Sequence, residues 1–218
     1  MIIKPFQKLH YTVFVMLFST QITIAQQIKM EHHNTYAQMT TKSQNIYLSI
    51  MDTMMVKMDE LPLTSIPDFD FLTQMIAHHM GALEMAKYEI SHGKNEEMIH
   101  LAKSILAEQS SDIQTMKLLI SQLPVNAQKA EKSFEKAMIQ SMKVMMENMP
   151  PNNKLTDTDK GFAMVMIPHH QAAIEMAVAL IQHSQNKQVI TFARQLISTE
   201  QIEIEQMNNF INEKPGTN

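Results

Sequence analysis

Apolar residues recur at three- and four-residue intervals along most of this chain, and the stripes they draw mark helices. Met51, Met54, Met55 and Met58 stand at i, i+3, i+4 and i+7, the spacing that lays one helix face against a core. Phe71, Met75, His78, His79, Ala82, Met85 and His92 fall within one broad stripe of a second helix. Ala102, Ile105, Gln109, Asp112 and Met116 do so on a third. Breakers set the limits. A first helix from about 34 to 60 ends at Pro62 and Pro67; Asp68 is placed to cap a second, which reaches about His92 with Gly93 as its stop; a third, from about Asn95 to Leu123, closes at Pro124.

The same layout then repeats 91 residues later. Met142, Met145, Met146 and Met149 restate the methionine stripe, and Phe162, Met166, His169, His170, Ala173, Met176 and His183 restate the histidine stripe. Ala193, Leu196, Glu200, Glu203 and Met207 answer the third helix. Asp68/Asp159, Ile99/Ile190, Ile113/Ile204 and Ile120/Ile211 keep the register. The pattern predicts helices near 127–149, 159–184 and 187–212, with Pro150, Pro151, Asn152 and Asn153 between the first two. The expected architecture is all-α, a single domain over 34–214 with repeat 1 near 34–123 and repeat 2 near 127–212, each opening on a methionine-rich helix. Pro168 falls inside a predicted helix where Ala77 stands in the first copy, and removes one backbone bond beside His169, so a local kink is expected there.

Composition sharpens this. Four glycines, no tryptophan and few β-branched runs oppose a sheet protein. A formal charge of −4 gives no basic stripe, which excludes nucleic acid as a natural partner. Residues 1–25 read as a secretory signal: Lys4 and Lys8 lead, Tyr11 to Phe18 form an apolar stretch too short for an anchor, and Thr23-Ile24-Ala25 offers a cleavage site. Cleavage removes two lysines and no acids and takes the charge from −4 to −6. The mature chain then begins with a polar arm, 26–33, ending in His32-His33, an accessory metal catcher or a solvated pair.

The chemistry lies in what is scarce and what is abundant. Cysteine is absent and methionine numbers 22. Without thiols the chain has no disulfide, zinc-finger or thiolate chemistry, and a soft metal must be held by thioether sulfur and imidazole. The candidate ligands are His78, His79, Met75, Met85 and Met116, with His169, His170, Met166, Met176 and Met207 from the second copy. On neighbouring antiparallel helices, Asp112, Glu200 and Glu203 approach the histidines, whereas Glu84 and Glu175 point elsewhere. Thioether with imidazole favours copper, Cu(I) first and Cu(II) as the alternative; zinc would leave the methionines unexplained. For each methionine, plain core packing competes with ligation, and for the two methionine-rich helices packing is the favoured reading. Glu97 and His100 form one E-x-x-H motif of the di-iron type, but Gln188 and Thr191 replace them in the second copy.

The string D-x-x-F-x-x-x-M-I-x-H-H with E-M-A downstream, given twice, resembles the exported bacterial family catalogued as domain of unknown function 305, over nearly the whole mature chain. The resemblance implies a ferritin-like four-helix bundle in which each repeat gives two helices, and kinship with periplasmic copper-binding proteins of copper resistance. Ala77 departs from the usual proline, Asp112 from the usual glutamate and Glu200 from the usual glutamine. The expectation is therefore a periplasmic or secreted protein that sequesters or transfers copper without catalysis, for which another periplasmic copper carrier or exporter is the fitting partner. The rival expectations are a ferritin-like di-metal oxidoreductase and a metal-free helical interaction module.

Overall fold

The computed structural model describes residues 44–124 and 132–213. Its described elements are α1 (Ile46–Glu60), α2 (Pro67–His92), α3 (Glu96–Ser121), α4 (Lys132–Glu147), a short 3-10 turn (Asn152–Lys154), α5 (Thr158–His183) and α6 (Lys187–Asn212). Among the described residues the fold is all-α, as the periodicity predicts. The predicted signal and polar arm lie outside them, as do residues 34–43 and the expected beginning of the fourth helix.

α2 and α3 form one hairpin, α5 and α6 another, and the two join chiefly through α2 and α5. α1 lies on α2 and α4 on α5, whereas α3 and α6 meet only sparsely. The methionine stripes supply the packing surface of the outer helices. Met51, Met54, Met55 and Met58 are buried, as are Met138, Met142 and Met145, while Met146 and Met149 are half-buried against the same core. α1 and α2 approach closely at Gly81, where a Cβ would stand 2.7 Å from Met54 Sδ. α5 runs through Pro168 as one helix; the ring takes a core position without ending it.

Several helix ends differ from expectation. The first helix begins at Ile46, because the Asn45 side chain accepts the Tyr47 N–H and its own backbone is not helical. Asn45 also ties α1 to the second hairpin by donating to the Leu155 carbonyl. Asp68 does not cap α2. Asp70 does the local work, accepting from the Thr64 and Ser65 N–H groups and the Thr64 hydroxyl. Asp68 instead accepts the Ser184 hydroxyl from the turn between α5 and α6. Its counterpart Asp159 accepts the Lys94 and Asn95 N–H groups from the turn between α2 and α3, at 2.9 and 2.8 Å. Each aspartate thus clamps the turn of the other repeat, while α5 takes its cap from Asp157.

Beside Asp159 the fully buried Glu89 receives the Tyr47 hydroxyl at 2.7 Å. Gly93 makes room for this cluster. A Cβ there would stand 2.5 Å from Glu89 Oε1 and 3.0 Å from Asp159 Oδ1, so space rather than an unusual backbone angle explains the glycine. Burial pushes Glu89 up to about 7, with the Asp159 charge adding to it and the Tyr47 hydroxyl opposing. Burial alone would raise Asp159 as well, but the Asn95 and Lys94 N–H groups hold it below the usual carboxylate range. Glu89 is therefore the member of the pair that keeps a proton.

Because its folded value lies above the unfolded one of about 4.5, Glu89 contributes stability that is full below that lower value and is lost as pH rises through 7. Glu89→Gln, which retains a neutral hydrogen-bonding group, should leave stability near wild type at pH 5. At pH 8.5 it should raise it by about 1–3 kcal/mol. Denaturant midpoints across that range check this, and parallel profiles for the two proteins would refute the assignment of a retained proton to Glu89.

Candidate metal centre

The histidine pairs are brought to the middle of the molecule because α2 and α5 cross with their histidine stripes inward. His78, His79, His169 and His170 are each 0% exposed. The His78 and His169 rings stack at 3.7 Å between centroids, 28° from parallel. They occupy equivalent positions in the repeat, so a pseudo-twofold axis passes between them. Gln109 and Glu200 are also equivalent positions, and Gln109 Nε2 donates to Glu200 Oε1 at 3.2 Å across the same axis. Met75, Met85, Met116, Met166, Met176 and Met207 are all 0% exposed and belong to the surrounding core. All ten candidate ligands are thus interior, and the alanines at 82 and 173 are buried with them.

Seven of the eight ring nitrogens of these histidines are buried without a hydrogen-bond partner. The eighth, His169 Nε2, donates to the His78 carbonyl at 3.1 Å, which leaves Nδ1 of that ring as a lone pair. Two rings have carboxylates at ion-pair distance without hydrogen-bond alignment. His79 Nε2 is 3.6 Å from Asp112 Oδ2. His170 Nε2 is 2.9 Å from Glu203 Oε2, and its Nδ1 is 3.8 Å from Glu200 Oε1. The third-helix stripe therefore meets the histidines as its spacing predicts.

Electrostatics divide the four rings. Burial, and then the neighbouring imidazoles, hold His78 and His169 well below the ordinary histidine value, so both are neutral with lone pairs to offer. Burial also lowers His79, with Asp112 partly opposing. For His170 burial is outweighed by Glu200 and Glu203, and its affinity for a proton rises. Burial pushes Glu200 up to about 8, against the pull of His170. The first copy presents an imidazole beside one carboxylate, Asp112, and the second an imidazole beside two, Glu200 and Glu203, so the two halves are chemically unequal.

Among the described residues, no group of three or more histidine, aspartate and glutamate side chains is arranged to hold a metal ion. A nitrogen and oxygen cage for a hard cation is not preformed. The remaining soft donors in this core are the methionine sulfurs, and neutral imidazole with thioether is a donor set for a soft ion.

Other sequence candidates fall away from the centre. His92 and His183 end their helices, with Nδ1 bonded to the Tyr88 and Ala179 carbonyls, and His92 stacks on Tyr88. Glu97 and His100 are exposed on α3, far from a bundle-interior di-metal arrangement. Glu84 is exposed and pairs with Lys87 at 2.7 Å. His32 and His33 lie outside the described residues. Glu108, which spacing does not single out, lies half-buried on α3 against Thr199 of α6 and near the Glu203 charge. The stacking of His78 on His169 is likewise set by the meeting of two hairpins, which local spacing does not encode.

Known proteins bear on this geometry. The structure of CopM in the apo form is similar to this one, with a TM-score of 0.51 and 26% identity over 68% of this chain and 98% of that one. CopM in the Ag-bound form, obtained by soaking, is similar to the same degree, with a TM-score of 0.51 and 26% identity over 68% and 97%. A DUF305 fragment from Deinococcus radiodurans gives 0.48 and 21% over 66% and 95%. No curated protein matches the sequence. The family model described as domain of unknown function (DUF305) matches residues 19–120 and 68–211. Matched over most of its length, with the duplicated histidine motif at the meeting of its two hairpins, the chain belongs to the DUF305 family.

Proposed function

We propose that the protein binds copper as Cu(I) in the interior of the bundle and serves, after export, to sequester it or pass it on, contributing to copper tolerance. The ligands are drawn from His78, His79, His169 and His170 together with Met75, Met85, Met116, Met166, Met176 and Met207. The observation that carries this reading is the set of seven buried ring nitrogens without a hydrogen bond, four of them without a carboxylate in reach either, in a core that also buries six candidate methionines. A buried polar group left unsatisfied costs roughly 1–3 kcal/mol, and a structural histidine escapes that cost by pairing. A metal ion recovers it. The Ag-bound neighbour supports a monovalent soft ion, since silver and Cu(I) share a preference for sulfur and imidazole. The leader-like residues 1–25 support export to the periplasm or beyond. No step of this function transfers electrons or breaks a bond, so the protein acts as a binder.

Anaerobic titration of the mature protein with Cu(I) against a competing chelator tests the site. His79→Ala and His170→Ala should each weaken binding by about tenfold or more, at least about 1.4 kcal/mol. Wild-type affinity and stoichiometry in the double variant would reject these ligands.

The same orphan nitrogens generate an opposite effect on the metal-free protein. Leucine is close to histidine in volume, so His78→Leu with His169→Leu should stabilise the metal-free fold by about 1–3 kcal/mol. It should also abolish the rise in Tm that saturating Cu(I) gives the wild type, roughly 4 kcal/mol at a thousandfold excess over Kd. Denaturation with and without metal decides, and a destabilised metal-free variant would contradict the unsatisfied-ring account.

A further inference from the structure

The four histidines are sealed from α2 and α5, the helices that carry them, yet an ion must reach them. The side facing α3 and α6 differs. These two helices touch only sparsely along the bundle, in contrast to the close α2/α5 contact. Exposure falls stepwise through this seam. Glu108 is half-buried, the Asp112 side chain is 25% exposed, those of Glu203 and Glu200 are 7% and 4% exposed, and the His79 and His170 rings behind them are at 0%. The inner end of the series is unsatisfied: Glu200 Oε2, Gln109 Oε1 and both nitrogens of His79 and His170 have no hydrogen-bond partner.

We propose that the seam between α3 and α6 is the port by which a cation reaches the buried histidines, with Glu108 at its mouth and Asp112 and Glu203 handing the ion to His79 and His170. This inference rests on the histidine reading above. Glu108 is half-buried on α3 and faces Thr199 on α6, its own equivalent in the repeat, which places it over the pseudo-twofold axis. One step inward on that axis stand Gln109 and Glu200, and then the histidines. Burial and the nearby Glu203 charge raise the proton affinity of Glu108, the mark of a carboxylate facing another across a narrow gap. Asp112 and Glu203 each reach a histidine, at 3.6 and 2.9 Å, and both are near enough to Glu108 for their charges to act on it. No lysine or arginine pairs with Glu108, Asp112, Glu200 or Glu203 among the ion pairs of the described residues. A line of acids that ends on lone pairs attracts a cation and lets it exchange water for imidazole by degrees.

Glu108 is placed to affect arrival without ligating the bound ion, which separates the port from the site. Stopped-flow mixing of mature protein with Ag(I), a redox-stable probe, in chloride-free buffer gives the association rate; a parallel chelator competition gives stoichiometry and affinity. Glu108→Gln should slow association about threefold and Glu108→Lys about tenfold at low ionic strength, with stoichiometry unchanged. The difference should shrink towards zero near 1 M salt, where the screening length is about 3 Å. Glu97→Gln, an exposed acid on the same helix outside the seam, should associate at the wild-type rate. If Glu108→Gln and Glu108→Lys load as fast as wild type while wild type binds Ag(I), the port is overturned and the histidine site stands. If wild type binds no Ag(I), the histidine reading falls and the port with it.

Discussion

Everything at the centre of this molecule follows from one constraint: residues on a pseudo-twofold axis must face their own equivalents. A duplicated chain that folds into two matched hairpins brings position n against position n plus 91 wherever the hairpins cross. Only side chains that tolerate such a meeting can stand there. Neutral imidazoles do, and His78 stacks on His169. Two buried carboxylates would not, because their like charges would oppose each other in a medium that screens little. The pairing of Gln109 with Glu200 is the resolution: one member supplies an N–H and the other accepts it. Given Glu200, an amide at position 109 is the partner the axis tolerates, and the difference between the two residues helps make the halves electrostatically unequal.

The ends of the bundle obey a related rule with a different solution. Asp68 and Asp159 each cross to the turn of the opposite repeat, so the two hairpins are latched by the symmetric exchange of one residue. The turns themselves have diverged. Ser184 meets Asp68 with a hydroxyl, and Gly93, at the equivalent place, has none to offer. Backbone N–H groups of Lys94 and Asn95 take over, and the vacated space holds the Glu89 carboxyl of α2, to which Tyr47 of α1 donates. Divergence at a latch is tolerated where a neighbouring donor fills in. The methionine-rich helix of the first repeat is thus fastened to both repeats at once.

Much of this was legible from periodicity, and the reason for the remainder is specific. Stripes at three and four residues placed α2, α3, α5 and α6 to within a residue or two, because long amphipathic helices bury whatever lies on the stripe. The inward fate of all ten candidate ligands followed from the same spacing. Asp68 read as a helix cap because capping is the commonest use of an aspartate after a proline. That it serves the other repeat depends on contact between hairpins, which no local pattern records. His92 lay on the stripe by angle but beyond the end of the crossing, where a last-turn carbonyl was its nearest partner. Glu108 was hidden for a complementary reason. It adjoins the inward-facing Gln109 and reads as ordinary solvated surface until α6 is laid beside it.

Methionine reconciles packing with chemistry in this core, and the two uses are less opposed than a choice between them suggests. A thioether costs almost nothing to bury, adapts its shape to irregular gaps and remains a donor for a soft ion without losing a proton. Imidazole is costlier to bury, and burial holds His78 and His169 neutral, whereas the acids beside His170 raise its affinity for a proton. In the proposed site the thioethers and the His78 and His169 imidazoles bring no charge of their own, so their expense is confined to the unsatisfied nitrogens. Dehydration cost grows steeply with ionic charge, so such a site discriminates by charge as well as by softness, and a monovalent ion loses least on entering it. The carboxylates of the second repeat are themselves buried, Glu200 bonded to Gln109 on the axis and Glu203 against His170, while Asp112 and Glu108 of the first repeat lie nearer to solvent. In the proposed port the outer acids attract a cation from water, and in the proposed site the imidazoles and thioethers determine which cation stays.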